Sequence, residues 1–176
     1  MTQVVEQIVD QLKAAIPDYA KDTKLNLDAV LKRSTLDQEE ALLCALAAAF
    51  ATGNGKLVSW MQTLIGSEGI QYEPALTAAS LMAQNNAWYP YVEMAGDPRL
   101  EGLPAQLRMN AISTNGGTTK ERFEAYSLAA SIVGKCHFCV KAHYDVLGKS
   151  GYTTENLRDI GRIASVMNSV AKILNS

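Results

Sequence analysis

The sequence predicts an all-α protein, and three observations carry that expectation. Apolar residues recur at three- and four-residue intervals along most of the chain. No segment sustains the every-second-residue alternation of a half-buried strand. The longest near-continuous apolar run, ALLCALAAAFA, is built from strong helix formers. With 176 residues the chain fits one domain, or two tightly packed helical halves, and can bury a core without a metal or disulfide staple. Hydrophobic residues make up 48% and charged residues 19%, with 5 Pro and 12 Gly, so order should run through most of the chain.

Taken in order, Val4, Ile8, Leu12 and Ile16 lie at helical spacing and predict an amphipathic helix stopped by Pro17. A polar stretch follows. Thr35-Leu-Asp-Gln38 has the shape of a capping box and should open the alanine- and leucine-rich helix, which Gly53-Asn54-Gly55 ends. Leu57 to Ile65 forms a further apolar segment. PALTAASLMAQNNAWYPY then favours helix until Pro90 interrupts it. The stretch from Met94 to Pro104, with two glycines and two prolines, is expected to be an irregular connector. Thr118-Thr-Lys-Glu121 is a second capping-box pattern, opening a helix to about Gly134. A new helix begins at Lys135 and runs to Gly148. Gly151-Tyr-Thr-Thr prepares the last helix, on which Leu157, Ile160, Ala164, Met167, Val170 and Leu174 form one stripe. Residues 40 to 65 loosely echo residues 124 to 147, which suggests one domain, 1–176, made of two degenerate helical halves. The first half, about 1–93, lacks redox residues and the second, about 105–176, carries them.

Composition also excludes functions. A formal net charge of −2 provides no broad basic field, so no nucleic-acid or membrane-surface role is expected. The apolar run Ala41 to Ala51 is well short of the ~20 residues needed to cross a bilayer. The N-terminus MTQVVEQIVD carries acids rather than a basic leader, so the expected location is cytoplasmic. Three cysteines without a secretion signal imply reduced thiols by default, so any disulfide here should be a working one.

The chemistry concentrates in eight residues, Cys136-His137-Phe138-Cys139-Val140-Lys141-Ala142-His143, which hold both histidines and two of the three cysteines. Gly134 and Lys135 precede the run, so Cys136 should sit at a helix N-terminus and Cys139 in its first turn. There, free backbone N–H groups and the helix dipole favour a thiolate. The two-residue gap lets the sulfurs close a disulfide that opens and reforms during turnover. His143, four residues after Cys139, shares its face and can exchange a proton with a thiol near neutral pH. Upstream, Glu124 lies on a stripe with Ser127, Ser131 and Lys135, placing a carboxylate where it can orient His143 and raise its basicity. His137 points elsewhere and reads as an exposed residue that tunes local charge. Cys44, in an Ala/Leu helix, reads as a small core residue. The C-x-x-C-x-x-x-H run could instead supply three of four zinc ligands, with Cys44, Glu124 or His137 as the fourth, although no second CxxC or HxxxH is present. Haem attachment is excluded because Val140, not His, follows Cys139.

Glu124, eleven residues, Cys136-x-x-Cys139, three residues and His143 together resemble the signature of the alkyl hydroperoxidase D family, which shares a fold with carboxymuconolactone decarboxylases. Ala83-Gln-Asn-Asn-Ala-Trp-Tyr89 and Leu107-Arg-Met-Asn-Ala-Ile112 resemble that family's central segments, so the likeness covers nearly the whole chain. The resemblance implies a homo-oligomer, a trimer being favoured, that reduces hydroperoxides and returns the peroxiredoxin alkyl hydroperoxide reductase C to its dithiol form. It implies no tightly bound cofactor. Electrons would come from a dihydrolipoyl-lysine carrier, a lipoyl-bearing acyltransferase served by dihydrolipoamide dehydrogenase. Matched by position, Cys139 would become the sulfenic acid and Cys136 would resolve it, with Glu124 and His143 as the relay. The family's usual motif has His before its second cysteine, where this chain has Phe138, its histidine standing at 137. A disulfide reductase without peroxidase activity and a lactone decarboxylase-like enzyme are the alternatives.

Overall fold

A computed structural model describes residues 2–176. Its helices are α1 (Thr2–Ala14), α2 (Lys21–Leu27), α3 (Gln38–Ala51), α4 (Gly55–Ser67), α5 (Glu73–Ala95), α6 (Pro98–Glu101), α7 (Lys120–Gly134), α8 (His137–Lys149) and α9 (Thr154–Ile173). Three shorter helical turns, Asp18–Ala20, Asp28–Lys32 and Asn110–Gly117, complete the order. There is no strand among the described residues, and the expected all-α class holds.

At the centre α3 packs on α7, and α5 and α9 flank that pair. Every residue of α3 from Glu40 to Ala49 is buried, so this helix is enclosed on all sides. The helix it packs on, α7, buries the small residues Ala125, Ser127, Ala129, Ala130 and Ser131, and small side chains let packed backbones approach closely. The last helix is one-sided: Leu157, Ile160, Ile163, Ala164, Met167, Val170 and Ala171 are buried, whereas Leu174 lies past the helix end and is partly exposed.

Four local expectations are corrected. Thr35 does not cap α3. Its N–H and hydroxyl both donate to Asp159 Oδ2 on α9, at 2.8 and 3.0 Å, and Asp37 caps the helix instead, accepting the Glu40 N–H at 2.9 Å. One residue separates the second capping pattern from the real one, since Thr119 rather than Thr118 accepts the Arg122 N–H. Pro90 does not end α5. The helix is anchored before it by buried Ala75, Ala78, Ala79, Leu81 and Met82, and closes beyond it at Gly96, which is left-handed at φ 59°. These flanks outweigh the ~3 kcal/mol that an internal proline costs. Finally, part of the expected connector is helical, because α5 runs to Ala95 and Pro98–Glu101 forms one turn capped by Asp97.

Candidate redox centre

The site grows out of the turn between α7 and α8. The chain leaves α7 at Gly134, and Lys135 turns it through a left-handed conformation, φ 55°. The N–H groups of Lys135 and Cys136 bond back to the carbonyls of Ile132 and Ser131, at 3.2 and 3.3 Å, closing the end of α7. Cys136 is then extended and caps α8, its sulfur accepting the Cys139 N–H at 3.2 Å. Cys136 and Cys139 are joined in a disulfide with a Cα–Cα distance of 5.3 Å, and both are buried. The sulfur of Cys136 thus occupies the N-terminus of α8, where unpaired N–H groups favour negative charge.

Glu124 and His143 come together. His143 Nδ1 lies 2.6 Å from Glu124 Oε2, with 16% and 17% of the two side chains exposed. The other ring nitrogen, Nε2, lies 3.1 Å from Met82 Sδ. Helical spacing puts His143 one turn after Cys139 on α8.

Helix α5 supplies a wall. The carbonyl of Asn85 lies 3.9 Å from Cys136 Sγ and can take a thiol hydrogen once the disulfide opens. Asn86 donates from Nδ2 to the Ala130 carbonyl at 3.3 Å and fills the space over Gly134. Met82, Asn85 and Asn86 were not among the predicted site residues. Residues 83 to 89 stood out only for their family resemblance, because local spacing carries no sign that α5 lies over the α7–α8 turn.

His137, 80% exposed, points away from the disulfide and toward Glu93, 3.3 Å distant. Phe138 is 57% exposed and stacks on Tyr89, with ring centroids 4.2 Å apart. Both border a cavity of about 640 Å³, with Trp88, Val92, Leu103 and Lys141 among its other walls. Cys44 is fully buried in α3. Burial, together with the charges of Glu40 and Asp37, pushes its thiol well above the ordinary range, the opposite of what a reactive cysteine needs.

The carboxymuconolactone decarboxylase family model matches residues 98–176, a span that takes in Glu124, Cys136, Cys139 and His143. A protein of Rhodospirillum centenum named alkyl hydroperoxide reductase AhpD is 40% identical over 174 residues, covering 96% of this chain and 91% of the relative. The chain belongs to the AhpD family. AhpD proteins of Coxiella burnetii and Brucella anthropi are 39% and 37% identical, covering 92% and 96% of this chain and 93% and 97% of their own lengths. The AhpD likeness therefore reaches far beyond the decarboxylase model, which stops short of α5.

Proposed function

We propose that this chain is a dithiol hydroperoxide reductase. The observation that carries the reading is the joining of Cys136 and Cys139 at the start of α8, with His143 further along that helix paired to Glu124 of α7. The names of its AhpD relatives support the same class of reaction.

The cycle starts from the reduced protein. His143, its Nδ1 held by Glu124, takes the proton of Cys139, and the thiolate attacks the distal oxygen of ROOH. The O–O bond breaks, Cys139 becomes a sulfenic acid, and the proton leaves with the alkoxide as ROH. Cys136 then attacks Cys139, releasing water and forming the disulfide seen here. An external dithiol reopens it by exchange, so that ROOH and two thiols become ROH, water and an external disulfide. The proposed donor is a dihydrolipoyl-lysine carrier, a lipoyl-bearing acyltransferase recharged by dihydrolipoamide dehydrogenase. The proposed second acceptor is the peroxiredoxin alkyl hydroperoxide reductase C. We further propose a cytoplasmic homo-oligomer, with a trimer favoured.

The test is peroxide-dependent oxidation of dihydrolipoamide by the purified protein, beside Cys136→Ser and Cys139→Ser. Turnover by the wild type and loss in both variants is expected, with sulfenic acid trapped at Cys139 in Cys136→Ser. Retained turnover in the serine variants would overturn the proposal. Dihydrolipoamide-driven reduction of the peroxiredoxin without peroxide turnover would leave a disulfide reductase.

A further inference from the structure

His143 meets a partner at each ring nitrogen, Glu124 at Nδ1 and the thioether of Met82 at Nε2. Met82, on α5, is 1% exposed, so water does not readily replace its sulfur. A thioether offers lone pairs and no hydrogen. A bare Nε2 lone pair held against it at 3.1 Å would be repelled, so the contact favours the form with a hydrogen on Nε2. The 2.6 Å contact on the other side also holds a hydrogen, on Nδ1 or on the carboxylate. With both hydrogens in place the Glu124–His143 pair carries two protons, one more than a carboxylate beside a neutral imidazole.

We infer that Met82 is a positioning residue that holds the proton-loaded form of His143 while the disulfide is closed. Glu124 occupies Nδ1, so only Nε2 can trade a proton with Cys139, and it must alternate between two sulfurs. A thioether is a weak, polarisable acceptor, so releasing Nε2 from it costs little. When a carrier thiolate bonds to Cys136, the electron pair of the broken S–S bond stays on Cys139, and the Nε2 proton follows it there. The ionisable group in contact with the ring is Glu124 from α7, and Cys139, held in the disulfide, precedes it by one turn on α8. The neighbour from α5, Met82, does not titrate.

The catalytic consequence rests on the proposed peroxidase cycle, but the proton placement is tested without peroxide. The oxidised protein has only two histidines, so NMR of their ring nitrogens resolves His143, with exposed His137 as the internal control. In the wild type at neutral pH, Nε2 of His143 should carry a hydrogen. Met82→Leu keeps the volume and removes the acceptor, and at neutral pH should weaken the Nε2–H signal of His143, the ratio of rings with that hydrogen to rings without it falling about threefold. Met82→Gln, whose amide oxygen accepts, should restore it, and His137 should not move in either variant. In single-turnover reduction by dihydrolipoamide, Met82→Leu should slow disulfide opening by a similar factor of about three. A bare Nε2 in the wild type, or an Nε2–H signal unchanged in a folded Met82→Leu protein, overturns the inference and leaves the peroxidase proposal standing.

Discussion

Replacing Gly134 by alanine tests whether the redox turn depends on close contact with α5. A Cβ at this position would lie 2.1 Å from Asn86 Nδ2, 2.5 Å from its Cγ and 2.8 Å from its Cβ. Swinging the Asn86 side chain about its Cα–Cβ bond relieves the first two contacts but not the third, because that Cβ is fixed to the α5 backbone. Reaching ordinary carbon contact near 3.5 Å requires the end of α7 to move away from α5 by roughly 0.7 Å. Overpacking of this kind costs about 1–3 kcal/mol, and losing the Asn86 bond to the Ala130 carbonyl costs about 1 kcal/mol more. Alanine's better helix propensity returns roughly 0.5–1 kcal/mol. The net of about 1–3 kcal/mol should lower the melting temperature by roughly 3–10 °C in a chain of this size. Thermal unfolding followed by circular dichroism measures it. Adding Asn86→Ala should recover part of the loss, since it removes the amide but keeps the Cβ. A Gly134→Ala protein that melts at or above the wild-type temperature would refute the argument.

Three further substitutions probe the same region and its supports. Glu124→Gln leaves an acceptor for Nδ1 but removes its charge, a loss of about 1–2 kcal/mol between a charge-assisted and a neutral hydrogen bond. Stopped-flow oxidation of the reduced variant by peroxide should be roughly five- to thirtyfold slower, and an unchanged rate would take Glu124 out of the relay. Lys135→Gly removes a side chain from a left-handed residue and should stabilise the protein by up to about 1 kcal/mol, read as a higher urea midpoint. A lower midpoint would show that Lys135 is not strained. Asp159 is almost fully buried. Burial alone would raise its carboxyl, but the N–H and hydroxyl of Thr35 and the guanidiniums of Arg162 and Arg158 outweigh it and hold it below the usual range. That stability is present above the unfolded carboxylate value near 4 and is lost as pH falls through the lower folded value. In urea titrations at successive pH values, Asp159→Asn should be the less stable protein at neutral pH and show a shallower acid decline, whereas parallel curves would contradict the assignment.

What the sequence made legible was local. The positions of α1, α3, α7 and α9 follow from apolar spacing and from breakers such as Pro17 and Gly134. The start of α8 follows from the Gly-Lys step before Cys136. Both misplaced caps fall where Ser, Thr and Asp cluster at a helix start, and for α3 a tertiary partner decides which of them caps. Asp159, 124 residues away from Thr35, claims that threonine, and no local pattern announces it. The polar stretch after Pro17 folds into α2 and the turn Asp28–Lys32. Leu27, Val30 and Leu31 are buried, and Lys13 and Lys32 both pair with Asp28. Pro90 shows the converse, an intrinsic breaker overridden by packing. At the site, the helical register brought Glu124, Cys136, Cys139 and His143 within view because they lie on consecutive helices. Met82, Asn85 and Asn86 lie some fifty residues earlier and join only through the fold.

The two cysteines occupy chemically distinct positions on one turn. Cys136 caps α8, and its sulfur already accepts the Cys139 N–H; once reduced, that sulfur can carry charge stabilised by the helix terminus without moving. Cys139 lies inside the first turn, past the cap, with His143 one turn later on the same helix. A thiol stabilised by a fixed helix end is a good leaving group and a ready resolving nucleophile. One that depends on a titrating imidazole can be activated when substrate arrives and reprotonated when the disulfide opens. On the proposed cycle this division favours Cys139 for attack on the peroxide and Cys136 for resolution. It gives a physical reason for the ordering that the family resemblance alone implied. The same reasoning explains why the frame is stiff. Small residues clamp α7 to α3, and Gly134 seats against Asn86, so the turn stays in place while bonds between its sulfurs are made and broken.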